Sequence, residues 1–230
     1  MDKPVVLLDP GHGGYDPGAS YNGLKEKDLN LVLALKVAER LDSVKVLMTR
    51  ERDIYLSLAD RVALSRRVEP HLYLSLHANA GGGHGFESFI YSGLGNSDPA
   101  VGMQKTVHQA AMNALQRWQI RDRGMKKAAF YVLKYNTCPA VLIESLFLDH
   151  QREAAIWKEP IFAETLAAGI AAGVMKAVGV EAGEKPLPDP PQSLYTVQVG
   201  AFAILDNARQ RLAEAQQAGF DDAYIYRKTV

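Results

Sequence analysis

Short apolar runs alternate with amphipathic stretches along this chain, and that alternation limits its fold more than any other feature. Residues 5–8, 44–48, 72–76 and 140–143 are bounded runs of mostly apolar side chains, the length of buried strands. Between them, Leu29, Val32, Leu33, Val37 and Leu41 recur on one helical face, with Asp28 as the expected N-cap. A second helix is expected at 58–68, with Asp60, Arg61, Arg66 and Arg67 turned outward, and others at 99–118 and 161–178. Further strands are expected at 86–91, along an edge, and at 131–133. Strands interleaved with helices predict an α/β fold, a mostly parallel sheet with helices packed on it.

Composition shifts after residue 180. Residues 181–193 contain Pro186, Pro188, Pro190 and Pro191 beside Gly183, a density that fits a semi-rigid linker rather than helix or sheet. A strand (195–199), a helix (207–218) and a strand (223–226) follow, a short β-α-β unit. The expected organisation is a first domain over 1–179, a linker over 180–193 and a small unit over 194–230.

Several classes of function are excluded. The 230 residues hold 26 Lys+Arg and 26 Asp+Glu, so no net positive charge attracts nucleic acid, and none is expected as a partner. No run of 18 apolar residues is present, so membrane insertion is not expected. The start of the chain lacks the pattern of a signal peptide, giving an expectation of synthesis in the cytoplasm. Cys138 is the only cysteine, which excludes an internal disulfide or a thiolate-rich metal site. The stretch Gly11-His12-Gly13-Gly14-Tyr15-Asp16 fails the dinucleotide fingerprint, because Asp16 stands where its last glycine belongs.

Chemistry gathers at strand ends. His12 follows the first strand, His77 ends the third, and Glu144 ends the run at 140–143. Parallel neighbouring strands would bring all three to one rim, where open α/β sheets place ligands. A carboxylate ending an apolar run is costly to desolvate unless a cation meets it, and two facing histidines make that cation a metal. Glu26, where a Gly-rich loop turns into the first helix, completes the set. Two imidazoles, one carboxylate and an open position suit a catalytic zinc, with the remaining acid as a base beside it. Taken singly, each histidine also reads as a hydrogen-bonded side chain, Glu26 as a solvated helix-start acid and Glu144 as half of a buried ion pair. His150 is a reserve candidate. Residues 117–134 carry six basic side chains against Asp122, a solvated face or a dock for anionic groups such as carboxylates.

Four blocks carry a resemblance: residues 8–14, 22–28, 75–79 and 141–145. Together they resemble the signature blocks of zinc-dependent N-acetylmuramoyl-L-alanine amidases, the amidase-3 family of bacterial cell-wall hydrolases. The resemblance implies a mixed sheet of about six strands, His12, Glu26 and His77 as zinc ligands, and Glu144 as catalytic base. It implies hydrolysis of the amide between N-acetylmuramic acid and L-alanine in peptidoglycan, by a monomer acting at the cell wall. Asn79, beside His77, is a candidate donor to substrate or equally a turn residue. Residues 195–202 look like the opening strand of a SPOR repeat, a peptidoglycan-binding module. The combination is similar to sporulation amidases of mother-cell lysis, and phage endolysins share the missing signal. A catalytically silent wall-binding regulator and a zinc peptidase acting on the stem peptide are the alternatives.

Overall fold

The structure, a computed structural model, describes residues 3–180 and 202–218. In chain order the elements are β1 (Val5–Pro10), β2 (Ser20–Tyr21), β3 (Leu24–Lys25), α1 (Glu26–Ala38), β4 (Lys45–Met48), α2 (Leu58–Val68), β5 (Leu72–Asn79) and β6 (Phe86–Tyr91). Then come α3 (Pro99–Ala114), β7 (Asp122–Ala128), α4 (Tyr131–Lys134), β8 (Ala140–Phe147), α5 (Gln151–Trp157), α6 (Phe162–Ala177) and α7 (Leu205–Gln217). The chain parts into two compact units at residues 189 and 190.

Six strands form one mixed sheet in the order β4-β1-β5-β8-β6-β7. β4, β1, β5 and β8 run parallel, and β6 lies antiparallel to β8. The central strands are apolar on both faces because helices cover both. Val6, Leu8, Leu74, Leu76, Val141 and Ile143 pack in the core that includes Leu33, Val37 and Leu166. The alternate residues Leu7, Tyr73 and Leu142 pack with Val62, Val132 and Leu133 on the other side. No single helix among the described residues is long and apolar enough to cross a membrane.

Several expectations need correction. The first helix begins at Glu26 with Lys25 as N-cap, not at Leu29 with Asp28. An Asn22–Gly23 turn with φ of 49° and 80° closes the β2–β3 hairpin and feeds the chain straight into α1. Residues 131–133 lie in helix α4, not a strand; Val132 and Leu133 are buried there. β6 is not an edge, because β7 pairs with it in parallel. That edge strand has a polar sequence without an apolar run, as edges commonly do. The third helix ends at Ala114, and residues 116–118 form a 3₁₀ turn. Arg61 is not turned outward but only 2% exposed. Most of the expected linker and both strands of the small unit lie outside the described residues; within that unit α7 is described.

α3 and α6 approach closely because α6 places glycines at the contact. A Cβ on Gly169 would lie 2.6 Å from the Ala114 Cβ and 2.9 Å from the Ala110 carbonyl oxygen. Backbone cannot yield there as a flexible side chain would. Gly169→Leu is therefore expected to destabilise the chain by about 1–3 kcal/mol through overpacking. A lower midpoint in urea unfolding checks this, and an unchanged midpoint contradicts it.

Candidate metal centre

The site stands where β1, β5 and β8 end. The Gly11 N–H donates to the Leu76 carbonyl at 3.0 Å, extending the β1–β5 ladder up to His12. His77 pairs in register with Glu144, and Glu144 with Glu87 across β6. Glu26 opens α1 beside them, its N–H donating to the Ala19 carbonyl at 2.8 Å.

Donor atoms of His12, Glu26 and His77 all lie within 4.8 Å of one another. Glu26 Oε1 is 2.8 Å from His77 Nδ1 and 3.2 Å from His12 Nε2. Its other oxygen accepts from the Ala19 N–H at 2.9 Å. Asp16 Oδ2 accepts from His12 Nδ1 at 2.8 Å, which turns Nε2 toward Glu26 in the manner of a carboxylate orienting a metal-binding histidine.

The backbone is shaped around these side chains. A Cβ on Gly11 would fall 2.1 Å from the His77 ring, and one on Gly18 would fall 2.5 Å from Glu26 Oε2. His12 itself has φ 60°, a left-handed conformation that costs a non-glycine residue energy. Two arginines hold it there. Arg61 donates to Asp9 Oδ1 at 2.6 Å, the Pro10 carbonyl at 2.8 Å and the His12 carbonyl at 2.8 Å. Arg50 donates to the carbonyls of Pro10 and Gly11, each at 2.9 Å. Asp9, 1% exposed, also accepts from Thr49, Tyr73 and Ser75.

Electrostatics separate the two site glutamates. Burial alone would raise Glu26, but hydrogen bonds from both imidazoles and their charge hold it far below the usual carboxylate range. Burial lowers His12, yet the Glu26 hydrogen bond and charge, helped by Asp16, carry it up to about 9. Burial pushes Glu144 up to about 7; the charge of His77 opposes this, and Glu26 and Glu87 add to it.

The remaining candidates lie outside the three-donor cluster. Asn79 donates to Glu87 Oε1 at 2.7 Å, so part of its hydrogen-bonding capacity is engaged. Glu87 also holds Arg123 and Lys126 of the basic edge strand. His150 stacks on His84 with centroids 5.4 Å apart and is not part of the three-donor cluster. Sequence reasoning missed Asp16, Asp9, Arg50, Arg61 and Glu87. Asp9 had a legible signal, a carboxylate ending an apolar run like Glu144. The arginines had none.

The donor set fits a metal: two nitrogens and a carboxylate oxygen converge from three elements, with glycines keeping the space between them clear. Fold and site together define the class, an α/β protein with a candidate single-ion centre at the carboxyl rim of its sheet. Residues 6–176 match the N-acetylmuramoyl-L-alanine amidase family, and residues 191–230 match the SPOR domain. The chain belongs to the N-acetylmuramoyl-L-alanine amidase family.

It is 38% identical over 224 residues to the sporulation-specific N-acetylmuramoyl-L-alanine amidase of Bacillus subtilis (strain 168), covering 96% of this chain and 84% of the relative. It is 35% identical over 240 residues to the endolysin of Bacillus phage SPP1, covering 98% and 89%. Among solved structures, the N-acetylmuramoyl-L-alanine amidase from Clostridium difficile 630 superposes with a TM-score of 0.71 at 31% identity, covering 76% of this chain and 97% of that one.

The raised His12 value has a consequence for the metal-free protein. Its stabilising contribution is full below the ordinary imidazole value of 6.5 and is lost as pH rises through about 9. The melting temperature of the chelated protein is expected to fall across that range. Affinity for a divalent metal ion is expected to rise, because an ion must displace the proton. A flat melting profile together with pH-independent metal affinity contradicts the arrangement.

Proposed function

We propose that this chain hydrolyses the amide between the lactyl group of N-acetylmuramic acid and the L-alanine that begins the peptidoglycan stem peptide, using one zinc ion. The observation that carries this reading is the convergence of His12, Glu26 and His77 within 4.8 Å, with Glu144 in register beside His77. Those three residues would hold the ion. Zinc held there supplies a Lewis acid that polarises the amide carbonyl and eases deprotonation of water near neutral pH.

Glu144 is the general base. It takes a proton from the attacking water as the new C–O bond forms, then delivers it to the alanine nitrogen as the C–N bond breaks. Protonation matters because an amine leaves poorly as an anion. A carboxylate pushed up to about 7 by burial is matched to accepting and returning a proton near neutrality. Asp16 acts through His12, fixing its ring. Asn79, steadied by Glu87, offers substrate a hydrogen-bond donor. Arg123 and Lys126, held beside Glu87, offer positive charge to stem-peptide carboxylates, an attraction that salt screens.

Residues 194–230 bind peptidoglycan as a SPOR-like segment, joined by the Pro-rich linker of 180–193, and bring the enzyme to the cell wall. The sporulation-specific relative at 38% identity supports a role in wall lysis during sporulation. The phage endolysin relative at 35% supports the same chemistry in lysis at phage release.

Zinc analysis and mass spectrometry of digested cell walls test the assignment together. The wild-type chain is expected to carry one zinc and to release peptides with new L-alanine N-termini. Glu144→Ala is expected to keep the zinc and lose at least about 100-fold in turnover, whereas His77→Ala loses both. Wild-type rates from Glu144→Ala contradict its role, cuts within the stem peptide indicate a peptidase, and zinc without cleavage indicates a silent regulator.

A further inference from the structure

An aromatic plate stands open to solvent beside the donor cluster. Tyr15 and Tyr55 stack with ring centroids 4.2 Å apart and planes at 25°, and they are 79% and 41% exposed. Aromatic rings gain most from burial, and an exposed stacked pair held at a fixed place presents apolar area to a ligand.

The plate is firmly built. Gly13 and Asp16 exchange backbone hydrogen bonds of 3.0 and 3.1 Å, closing a tight turn that carries Tyr15 at its tip. Gly14 has φ +59°, and a Cβ there would lie 2.7 Å from the Tyr55 nitrogen, so the two loops touch through their backbones. Asp53 locks them together. Its carboxylate accepts from the Gly14 N–H at 2.7 Å and from Lys27 at 2.5 Å. Lys27 also donates to the Gly14 carbonyl at 2.9 Å.

Tyr15 is three residues from His12, a span of at most about 11 Å of chain. It also adjoins Asp16, which orients that histidine. In the substrate, the scissile amide hangs from the sugar through a short lactyl ether, so the sugar must lie within a few bonds of the donors. A pyranose presents a flat face of C–H hydrogens, and the negative face of an aromatic ring attracts such positively polarised edges.

Resting on the amidase reading, we propose that Tyr15 and Tyr55 form the subsite for a sugar ring of the glycan strand, held by stacking on the tyrosine face. The order of strands then gives the substrate a direction. The plate lies in loops after β1 and β4, at one end of the rim, while Glu144, Glu87 and the cations of β7 lie toward the other. Glycan occupies the β4–β1 side and the stem peptide leads away over β8 and β6.

Two measurements on the full chain test this. In the first, the protein carries labelled tyrosine rings and is titrated with purified peptide-free glycan strands. The NMR signals of Tyr15 and Tyr55, assigned with Tyr15→Phe and Tyr55→Phe, are expected to move. Shifts confined to other tyrosines overturn the proposal. In the second, Tyr15→Ala is expected to raise KM for glycan-linked peptide about fivefold, the scale of one aromatic contact. The effect on kcat is smaller, and Tyr15→Phe restores most of the loss because the ring face is kept. An unchanged KM in both Tyr15→Ala and Tyr55→Ala overturns it. A wild-type chain whose tyrosine signals move with glycan but which frees no L-alanine N-termini overturns the amidase reading and leaves the sugar subsite standing.

Discussion

The carboxylate of Asp9 is sealed from water and meets the guanidinium of Arg61, itself just as deeply buried. A buried charge left without its partner costs several kcal/mol, so neither side chain can leave without the other. Their pairing fixes more than itself. Arg61 also donates to the carbonyls of Leu56, Pro10 and His12, and Arg50 adds bonds to Pro10 and Gly11. The loop after β1 is thereby held in a conformation its sequence would not choose alone, with His12 in left-handed geometry. The ion pair is best regarded as a positioning device whose energy goes into the orientation of one imidazole.

Around that fixed ring the donors come from elements far apart in sequence. β5 delivers His77 because it is the parallel neighbour of β1, and β8 delivers Glu144 because it is the next neighbour. α1 delivers Glu26 because the Asn22–Gly23 hairpin starts the helix early. Environment then separates two acids of the same type. Glu26, between two imidazoles, is held as an anion, whereas Glu144, buried with like charges nearby, is raised toward neutrality. Surroundings alone set the two acids apart, as the proposed roles of Glu26 as metal ligand and Glu144 as general base require.

Much of this is legible in the sequence. The apolar runs at 5–8, 72–76 and 140–143 are strands in parallel register, and their polar endings do meet at one rim. The edge strand at 122–128 was hidden because an edge needs no apolar run, and the apolar 131–133 misled because one buried helical turn also shows adjacent apolar residues. Arg61 was hidden for a different reason. Helical periodicity marks an arginine as solvent-facing, and only a tertiary partner such as Asp9 can pull it inside. Asp16 and Glu87 act through other side chains, so their roles depend on distances that spacing does not encode.

The central claim is that a single ion is gripped by His12, Glu26 and His77. Anomalous diffraction at the zinc edge, on crystals of the zinc-loaded chain, tests it most directly. One peak is expected about 2.0–2.2 Å from a nitrogen of each histidine and an oxygen of Glu26. A peak elsewhere, or one that takes Glu144 as a ligand in place of Glu26, would contradict it.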